Sequence, residues 1–189
     1  MHFRFKRPSD KKLKIFMQKH KNEAFSYEGA GLTAMGQAPK GYYDDRNDCL
    51  LGEGEACWQA ACTALQAWQH FPQPWTEIYN PAIPFEEGAE VLVLFHLFGT
   101  TVLNGARIVY TINEENRFGY AYGTLPTHLE KGEELFMIER MLDGKVYYRL
   151  RSFSLPGHWW MYLGLPIVRY YQKKFVRDSF AQMRELVGG

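Results

Sequence analysis

The stretch from Trp75 to Ser154 most limits what this chain can fold into, because its apolar residues follow a period of two and its connections are short. A period of two is typical of strands, in which successive side chains point to opposite faces. The sequence "LDGK" at 142–145 is typical of a tight hairpin turn. Parallel strands need crossovers of about a dozen residues, so these connections predict an antiparallel sheet. The predicted strands are residues 75–79, 89–98, 101–112, 117–124, 133–142 and 145–153.

Two helical segments flank this stretch. Residues 53–71, "EGEACWQAACTALQAWQHF", are rich in alanine and carry an apolar face, and Pro72 ends the pattern. Residues 157–187 are again helical, and Pro166 either kinks this helix or begins its long part at the first turn. The order of helix, about six antiparallel strands and long terminal helix predicts an α+β fold.

The beginning of the chain is basic. Residues 1–21 contain eight Lys or Arg against one acid, and a helix capped by Ser9 is predicted over residues 10–21. Its apolar face predicts docking on the body of the protein. The alternative is a weak contact with an anionic membrane surface or a partner protein through residues 4–21. We therefore divide the chain into an N-terminal extension helix, residues 1–22, and a single domain, residues 23–189.

The segment between these helices contains many turn residues. Residues 23–34 predict a short strand interrupted by glycines, and residues 36–50 predict a turn-rich loop. Asp44, Asp45 and Asp48 lack the spacing of a calcium-binding EF-hand loop. They are therefore interpreted as solvated or helix-capping residues.

Composition excludes several functional classes. The 189 residues carry a net charge of +1, which provides no strong field for nucleic acid. The three cysteines form no CxxC pair and no secretory segment opens the chain, so a cytoplasmic protein is expected. No zinc motif and no phosphate-binding glycine pattern is present, so no metal and no cofactor are predicted.

Three stretches resemble a known family when taken in order: "LGEGEACWQAACTALQAWQHF", "FGYAYGTLPTHLEKGEELF" and "SFSLPGHWWMYLGLPIVRYYQKKF". They are similar to the YndH-like family of UPF0548 type, a domain of unknown function in the START-like superfamily. That superfamily includes the birch-pollen-allergen proteins and the polyketide cyclases. The resemblance covers roughly residues 25–187. It implies a helix-grip fold, in which a curved antiparallel sheet of about six to seven strands wraps round the long C-terminal helix. It also implies a cavity between them and no particular activity.

Strand alternation indicates which side chains would reach such a cavity. On 117–124, Tyr120, Tyr122 and Thr124 share a bulky face, which we expect to line the cavity. The opposite face is glycine and alanine, which allows close approach from outside or eases sheet curvature. Glu133 and Glu134 are adjacent and must point apart, so at most one reaches the cavity and the other is solvated or paired with an arginine.

The remaining polar candidates allow two interpretations each. His96 is either a core histidine or an acid or base in the cavity. His128 either bonds Glu133 or Glu134 and holds the hairpin, or lines the mouth of the cavity. Arg151 alternates with apolar residues and is placed on an outer charged face. Family members often carry an arginine where this chain has Leu155; if that arginine serves an anionic ligand, this chain either lacks the function or uses Arg151 or Arg169 for it.

Three functions remain open. The first is binding of a small apolar or aromatic ligand, which the aromatic content of 16% favours. The second is a cyclase- or hydrolase-like enzyme that uses acid-base groups in the same cavity, and the third is a filled-core interaction protein. The candidate ligand-binding residues are Trp58, His96, Tyr110, Tyr120, Tyr122, Thr124, His128, Glu134, Arg151 and Tyr171.

Overall fold

The computed structural model describes residues 3, 4, 6–79 and 82–188. The strands in chain order are β1 Phe3–Arg4, β2 Tyr43–Glu53, β3 Thr76–Ile78, β4 Glu90–Leu97, β5 Thr100–Asn113, β6 Arg117–Thr124, β7 Glu130–Arg140 and β8 Lys145–Pro156. The helices are α1 Asp10–Lys19, α2 Gly54–Gln66 and α3 Leu165–Gly188, with short 3-10 helices at Leu32–Met35 and Trp159–Tyr162. Pro166 lies in the first turn of α3, where its missing N–H costs nothing.

Seven strands form one antiparallel sheet in the order β2-β8-β7-β6-β5-β4-β3, and β1 pairs with β5 beside this path. The sheet curls into a half-barrel around α3, which confirms the predicted helix-grip architecture. The predicted strands correspond to β3 through β8, with ends that differ by at most a few residues. Short connections determine this result, because they allow only antiparallel neighbours.

The concave face of the sheet holds the main core. From α2, Trp58, Ala61 and Leu65 are buried there, and α3 contributes Phe175 and Met183. Of α3, the part from Phe175 onwards packs into this core, and the turns before Phe175 face a separate part of the sheet.

The convex face is covered by the N-terminal part of the chain. Leu13 and Phe16 of α1 are buried against Leu92, Leu94 and Leu103 of β4 and β5. This confirms that the helix docks on the body, while contact with a membrane or a partner protein stays a prediction. No helix in the described ranges is long and apolar enough to cross a membrane.

The segment that follows α1 covers the outer side of β6. A Cβ atom at Gly123 would overlap the Tyr27 hydroxyl and come within 2.9 Å of the Phe25 ring. The predicted close approach from outside is thus made by the chain's own residues. Residues 23–34 were predicted as a strand, but they form an irregular segment that ends in the 3-10 helix.

The prediction of a loop over residues 36–50 is wrong for its second half, which belongs to β2. This strand pairs with β8 from Tyr43 to Glu53. The first six residues of its sequence, "YDDRND", are polar on both faces, so the hydrophobic alternation that marks the other strands is absent there; only its second half, with Cys49 and Leu51, reaches the core. Backbone pairing with β8, rather than burial of an apolar face, places it in the sheet.

Candidate functional site

A pocket of about 720 Å³ lies between the concave face of the sheet and the N-terminal half of α3. Its apolar wall consists of Trp75, Phe95, Leu97, Phe98, Val102, Met161, Ile167, Val168, Tyr171 and Phe175. At its mouth the ring of Phe98 meets the ring of Tyr171 edge-on, with centroids 5.9 Å apart. Phe98 is 83% exposed, so the mouth is marked by an aromatic side chain that is open to solvent.

One side of the pocket is polar. The polar residues on this side include Asp45, Asn47, Asn104, Tyr122, Thr124, His128, Glu130, Glu134, Ser152, Ser154, Arg169 and Gln172. Glu134 of β7 stands opposite Tyr122 of β6 and Ser152 of β8 in the strand register. The Tyr122 hydroxyl donates a hydrogen bond of 3.1 Å to Glu134 Oε2. Sheet pairing therefore brings a phenol and a carboxyl together inside the pocket.

A second carboxyl lies on the same face of β7. Glu130 Oε1 accepts a hydrogen bond of 2.6 Å from Gln172 Nε2 of α3, and the same amide nitrogen lies 3.1 Å from Ser154 Oγ. The guanidinium of Arg169 makes two hydrogen bonds of 2.6 Å to Asp45 of β2. These contacts attach the first turns of α3 to three strands and position the polar side of the pocket.

The two pocket glutamates have perturbed acidities. Burial raises the pKa of Glu134 to about 8, and the nearby Glu130 and Asp45 act in the same direction, while the Tyr122 hydrogen bond opposes them. Burial raises the pKa of Glu130 to about 7, against the effects of Gln172 and Arg169. Among the described residues, Arg169 pairs with Asp45, and no cation forms an ion pair with either glutamate. Both groups can therefore exchange protons near neutral pH.

His128 also lines the pocket, from the connection between β6 and β7. Its Nδ1 atom accepts a hydrogen bond of 3.0 Å from the backbone N–H of Glu130. Burial lowers the pKa of His128 to about 4, which keeps the ring neutral at physiological pH. The expected bond to the side chain of Glu133 or Glu134 is replaced by this bond to the backbone.

Five of the ten candidate residues meet at the pocket: Tyr122, Thr124, His128, Glu134 and Tyr171. Thr124 Oγ1 accepts a hydrogen bond of 2.9 Å from the backbone N–H of Gly132, so part of its polarity is already used within the sheet. A role of these side chains in ligand binding stays a prediction.

Three candidates lie on the convex face instead. His96 continues the outward face of Leu92 and Leu94, where its Nε2 lies 3.2 Å from Glu77. Tyr110 follows a bulge in β5, and its hydroxyl lies 2.8 Å from Thr33 Oγ1 in the N-terminal segment. Arg151 forms an ion pair of 2.7 Å with Asp48, which confirms the predicted outer charged face. Strand alternation correctly grouped the side chains that share a face, but it does not show which face of the sheet is concave.

Two further candidates belong to the packed core. Trp58 of α2 is buried, and the guanidinium of Arg140 lies 5.2 Å from its ring centroid. Tyr120 is fully buried, and its hydroxyl lies 2.8 Å from His70 Nε2. No pattern in the sequence indicated His70 as a partner of Tyr120; this residue lies shortly after the end of α2.

The adjacent glutamates of β7 point apart, as predicted, but the partner of Glu133 is not an arginine. Its carboxylate is buried on the convex side and accepts hydrogen bonds of 2.7 Å from the Tyr27 hydroxyl and 2.7 Å from the Gly31 N–H. The N–H of Thr33 donates to it at 3.0 Å, and the Thr33 hydroxyl also contacts it. Glu133 therefore holds the N-terminal segment on the sheet.

Sequence reasoning missed several polar residues of the pocket. Asp45 and Asn47 were hidden in the supposed loop, and Glu130 was placed in a turn. Gln172 had no distinguishing pattern, because one polar residue on a long helix is usually solvated. For Asp45 and Asn47, the available signal was the run of polar residues directly after the turn-rich segment, which a polar strand can contain.

A family model described as a domain of unknown function, DUF1990, matches residues 26–182. A UPF0548 protein of Dictyostelium discoideum is 38% identical over 208 aligned positions, covering 98% of this chain and 96% of that protein. A UPF0548 protein of Deinococcus radiodurans is 32% identical, with 96% of each chain covered.

Solved structures resemble this chain at the level of the fold. A putative uncharacterized protein from Rhizobium leguminosarum superposes with a TM-score of 0.52 at 13% identity, over 78% of this chain and 95% of that one. Ara h 8.0201 gives a TM-score of 0.51 at 13% identity, over 78% and 98% of the two chains. At such identities the likeness shows a shared helix-grip architecture.

Proposed function

We propose that this chain, which belongs to the DUF1990 family of UPF0548 proteins, binds a small and mainly apolar or aromatic molecule in the pocket between the sheet and α3. One observation carries the proposal: a concave pocket of about 720 Å³ whose exposed lining surface is mostly apolar and whose polar groups are gathered on one side. Ligand sites in proteins typically have volumes of roughly 300–1,000 Å³ and this distribution of polarity.

The chemistry of the lining suggests how the ligand lies. Its apolar body would pack on Phe95, Tyr171 and Phe175, and each Å² of apolar surface removed from water contributes roughly 25 cal/mol. A polar group of the ligand would point to Glu134 and Tyr122, which are already joined to each other. Affinity would come mainly from the apolar wall and orientation from the carboxyl and the phenol.

An acid-base enzyme in the same pocket is the second candidate, because two groups that titrate near neutral pH line it. Glu134, with its pKa raised to about 8, is protonated at pH 7 and can donate a proton. Glu130, with its pKa raised to about 7, can accept one. Paired carboxyls of different acidity are a common arrangement for acid-base catalysis.

Native mass spectrometry of freshly purified protein, followed by a thermal-shift screen of small aromatic molecules, tests the binding proposal. We expect a retained small molecule, or a compound that raises the melting temperature by mass action. Retention should fall in Tyr122→Phe, which loses the hydroxyl that orients Glu134. It should be unchanged in Tyr147→Phe, which makes the same chemical change on the convex side. If nothing is retained and nothing shifts melting, the proposal is rejected.

The same preparation distinguishes binding from catalysis. A binder returns the retained molecule unchanged after incubation at pH 7. An enzyme converts it, and the mass of the released compound then differs between the wild type and Glu134→Gln. An unchanged mass in both proteins over prolonged incubation rejects the enzymatic candidate for that compound.

A further inference from the structure

We propose that the ligand of this pocket carries a protonated amine and that Glu134 binds this ammonium group, while the apolar wall holds the rest of the molecule. This inference rests on the proposed function and names its ligand class: amphipathic organic cations with an apolar or aromatic body.

The interior of the pocket contains more carboxyls than cations. The titratable or charged groups around Glu134 are Tyr120 and Tyr122 of β6, Glu130 of β7, Asp45 of β2, Tyr148 of β8, Arg169 of α3 and His128 of the β6–β7 connection. Three carboxyls thus face one guanidinium, and that guanidinium is held by Asp45 through two hydrogen bonds of 2.6 Å. A ligand that supplies a positive charge would balance this arrangement.

The cations at the rim of the pocket do not remove this excess of carboxyls inside it. Lys173 and Arg177 of α3 also line the pocket, but both are exposed. Arg177 pairs with Asp178 at 3.1 Å, which directs its charge along the helix surface rather than inward. Water screens exposed charges of this kind far more than it screens the half-buried Glu134.

Glu134 has acceptor capacity to spare. A carboxylate offers two oxygens with about four lone-pair positions, and Tyr122 occupies one of them at 3.1 Å. An ammonium group has three N–H donors and no acceptor, so it fits the free positions. A hydrogen bond between ions is roughly twice as strong as one between neutral groups, so an amine should bind better than the corresponding alcohol. A ligand carboxylate would add a fourth carboxyl beside Glu134, Glu130 and Asp45, so an acid should bind most weakly.

Binding of an ammonium ion would be linked to a proton. In the free protein, burial holds the pKa of Glu134 at about 8, so the group is mostly protonated at pH 7. The bound ammonium would favour the carboxylate, whose proton then leaves to the buffer. Between pH 6 and pH 7, affinity for the amine should therefore rise about tenfold, since one proton is released per molecule bound.

A matched series of probes tests the inference: 4-phenylbutylamine, 4-phenylbutanol and 4-phenylbutanoate, measured by isothermal titration calorimetry at pH 7.5. We expect the amine to bind roughly tenfold more tightly than the alcohol, and the acid to bind most weakly. Titrations in two buffers of different ionisation enthalpy should show release of a proton with the amine alone. Glu134→Gln should remove both the preference and the proton release. Glu114→Gln, the same change at an exposed turn residue, should preserve both.

The outcomes separate this inference from the proposed function. If the alcohol binds as well as the amine, the ammonium site is refuted while ligand binding stands. Tighter binding of the acid also refutes it and points to the rim cations Lys173 and Arg177. If none of the probes binds, the ammonium site is refuted, and the proposed function falls with it only when native mass spectrometry also finds no retained ligand. The comparison of probes on the wild type does not depend on the folding of any variant.

Discussion

Glu134 should make the stability of the free protein depend on pH, and Glu134→Gln should remove that dependence. The folded protein holds the pKa of this carboxyl at about 8, above its ordinary value of 4.5, because the side chain lies in the pocket away from bulk water. The folded state therefore keeps a proton that the unfolded chain releases. The contribution of Glu134 to stability is therefore greatest below about pH 4.5 and declines as pH rises towards 8.

The size of the effect follows from this difference in pKa. Between pH 6 and pH 8 the unfolded chain binds almost no proton at this position, while the folded protein loses its own only near pH 8. One proton over two pH units corresponds to ~2–3 kcal/mol at most. Because Glu134 is only half-buried and faces the pocket, water reduces this to ~1–2 kcal/mol. For a chain of this length that equals a change of roughly 2–8 °C in melting temperature.

Urea unfolding of the wild type and Glu134→Gln at pH 6, 7 and 8 measures this contribution. Glu130 in the folded protein and His128 in the unfolded chain also titrate in this range, so the informative quantity is the difference between the two proteins at each pH. The variant should gain ~1–2 kcal/mol relative to the wild type between pH 6 and pH 8. Glu114→Gln should follow the wild type throughout. Parallel curves for the wild type and Glu134→Gln would refute our account of this carboxyl.

Two further predictions concern buried hydrogen bonds away from the pocket. Tyr120→Phe removes the 2.8 Å contact to His70 Nε2 inside the core. In urea titrations it should lower the free energy of unfolding by ~1–3 kcal/mol. A loss below about 0.5 kcal/mol would contradict the importance of this contact. Glu133→Gln replaces a carboxylate that accepts from Tyr27 and Gly31 by an amide, and should cost ~2 kcal/mol and speed proteolysis within residues 23–40. An unchanged cleavage rate in Glu133→Gln would show that this contact does not hold the segment.

Local patterns were sufficient for most of the sheet and for the presence of the three helices, although α2 ends at Gln66 instead of residue 71 and α3 begins at Leu165 instead of residue 157. The turn "LDGK" and the short connections determine that neighbouring strands are antiparallel, because a chain that reverses within a few residues has no other way to pair. The alternation on β6 correctly grouped Tyr120 with Tyr122, and the adjacency of Glu133 and Glu134 correctly placed them on opposite faces. These properties depend only on residues close to one another in the chain.

The placement of His96 in the cavity and the omission of strand β2 were both wrong because they depend on contacts between distant parts of the chain. Alternation on β4 grouped His96 with Leu92 and Leu94, yet that face is convex and is covered by α1. Which face turns inward depends on the curvature of the sheet and on the helices that cover it, and neither is a local property. The polar strand β2 was missed because it is held by hydrogen bonds to β8 instead of by an apolar face.

The α+β order, the antiparallel pairing and the sets of residues that share a face follow from the order of residues along the chain, because short-range sterics and turn chemistry decide these properties. Asp45, Glu130, Glu134 and Gln172, in contrast, meet beside one apolar pocket only in the folded protein. Those residues come from β2, β7 and α3, which are far apart in the chain. Their acidities are set by burial and by each other's charges, and both exist only after the sheet has closed round the helix.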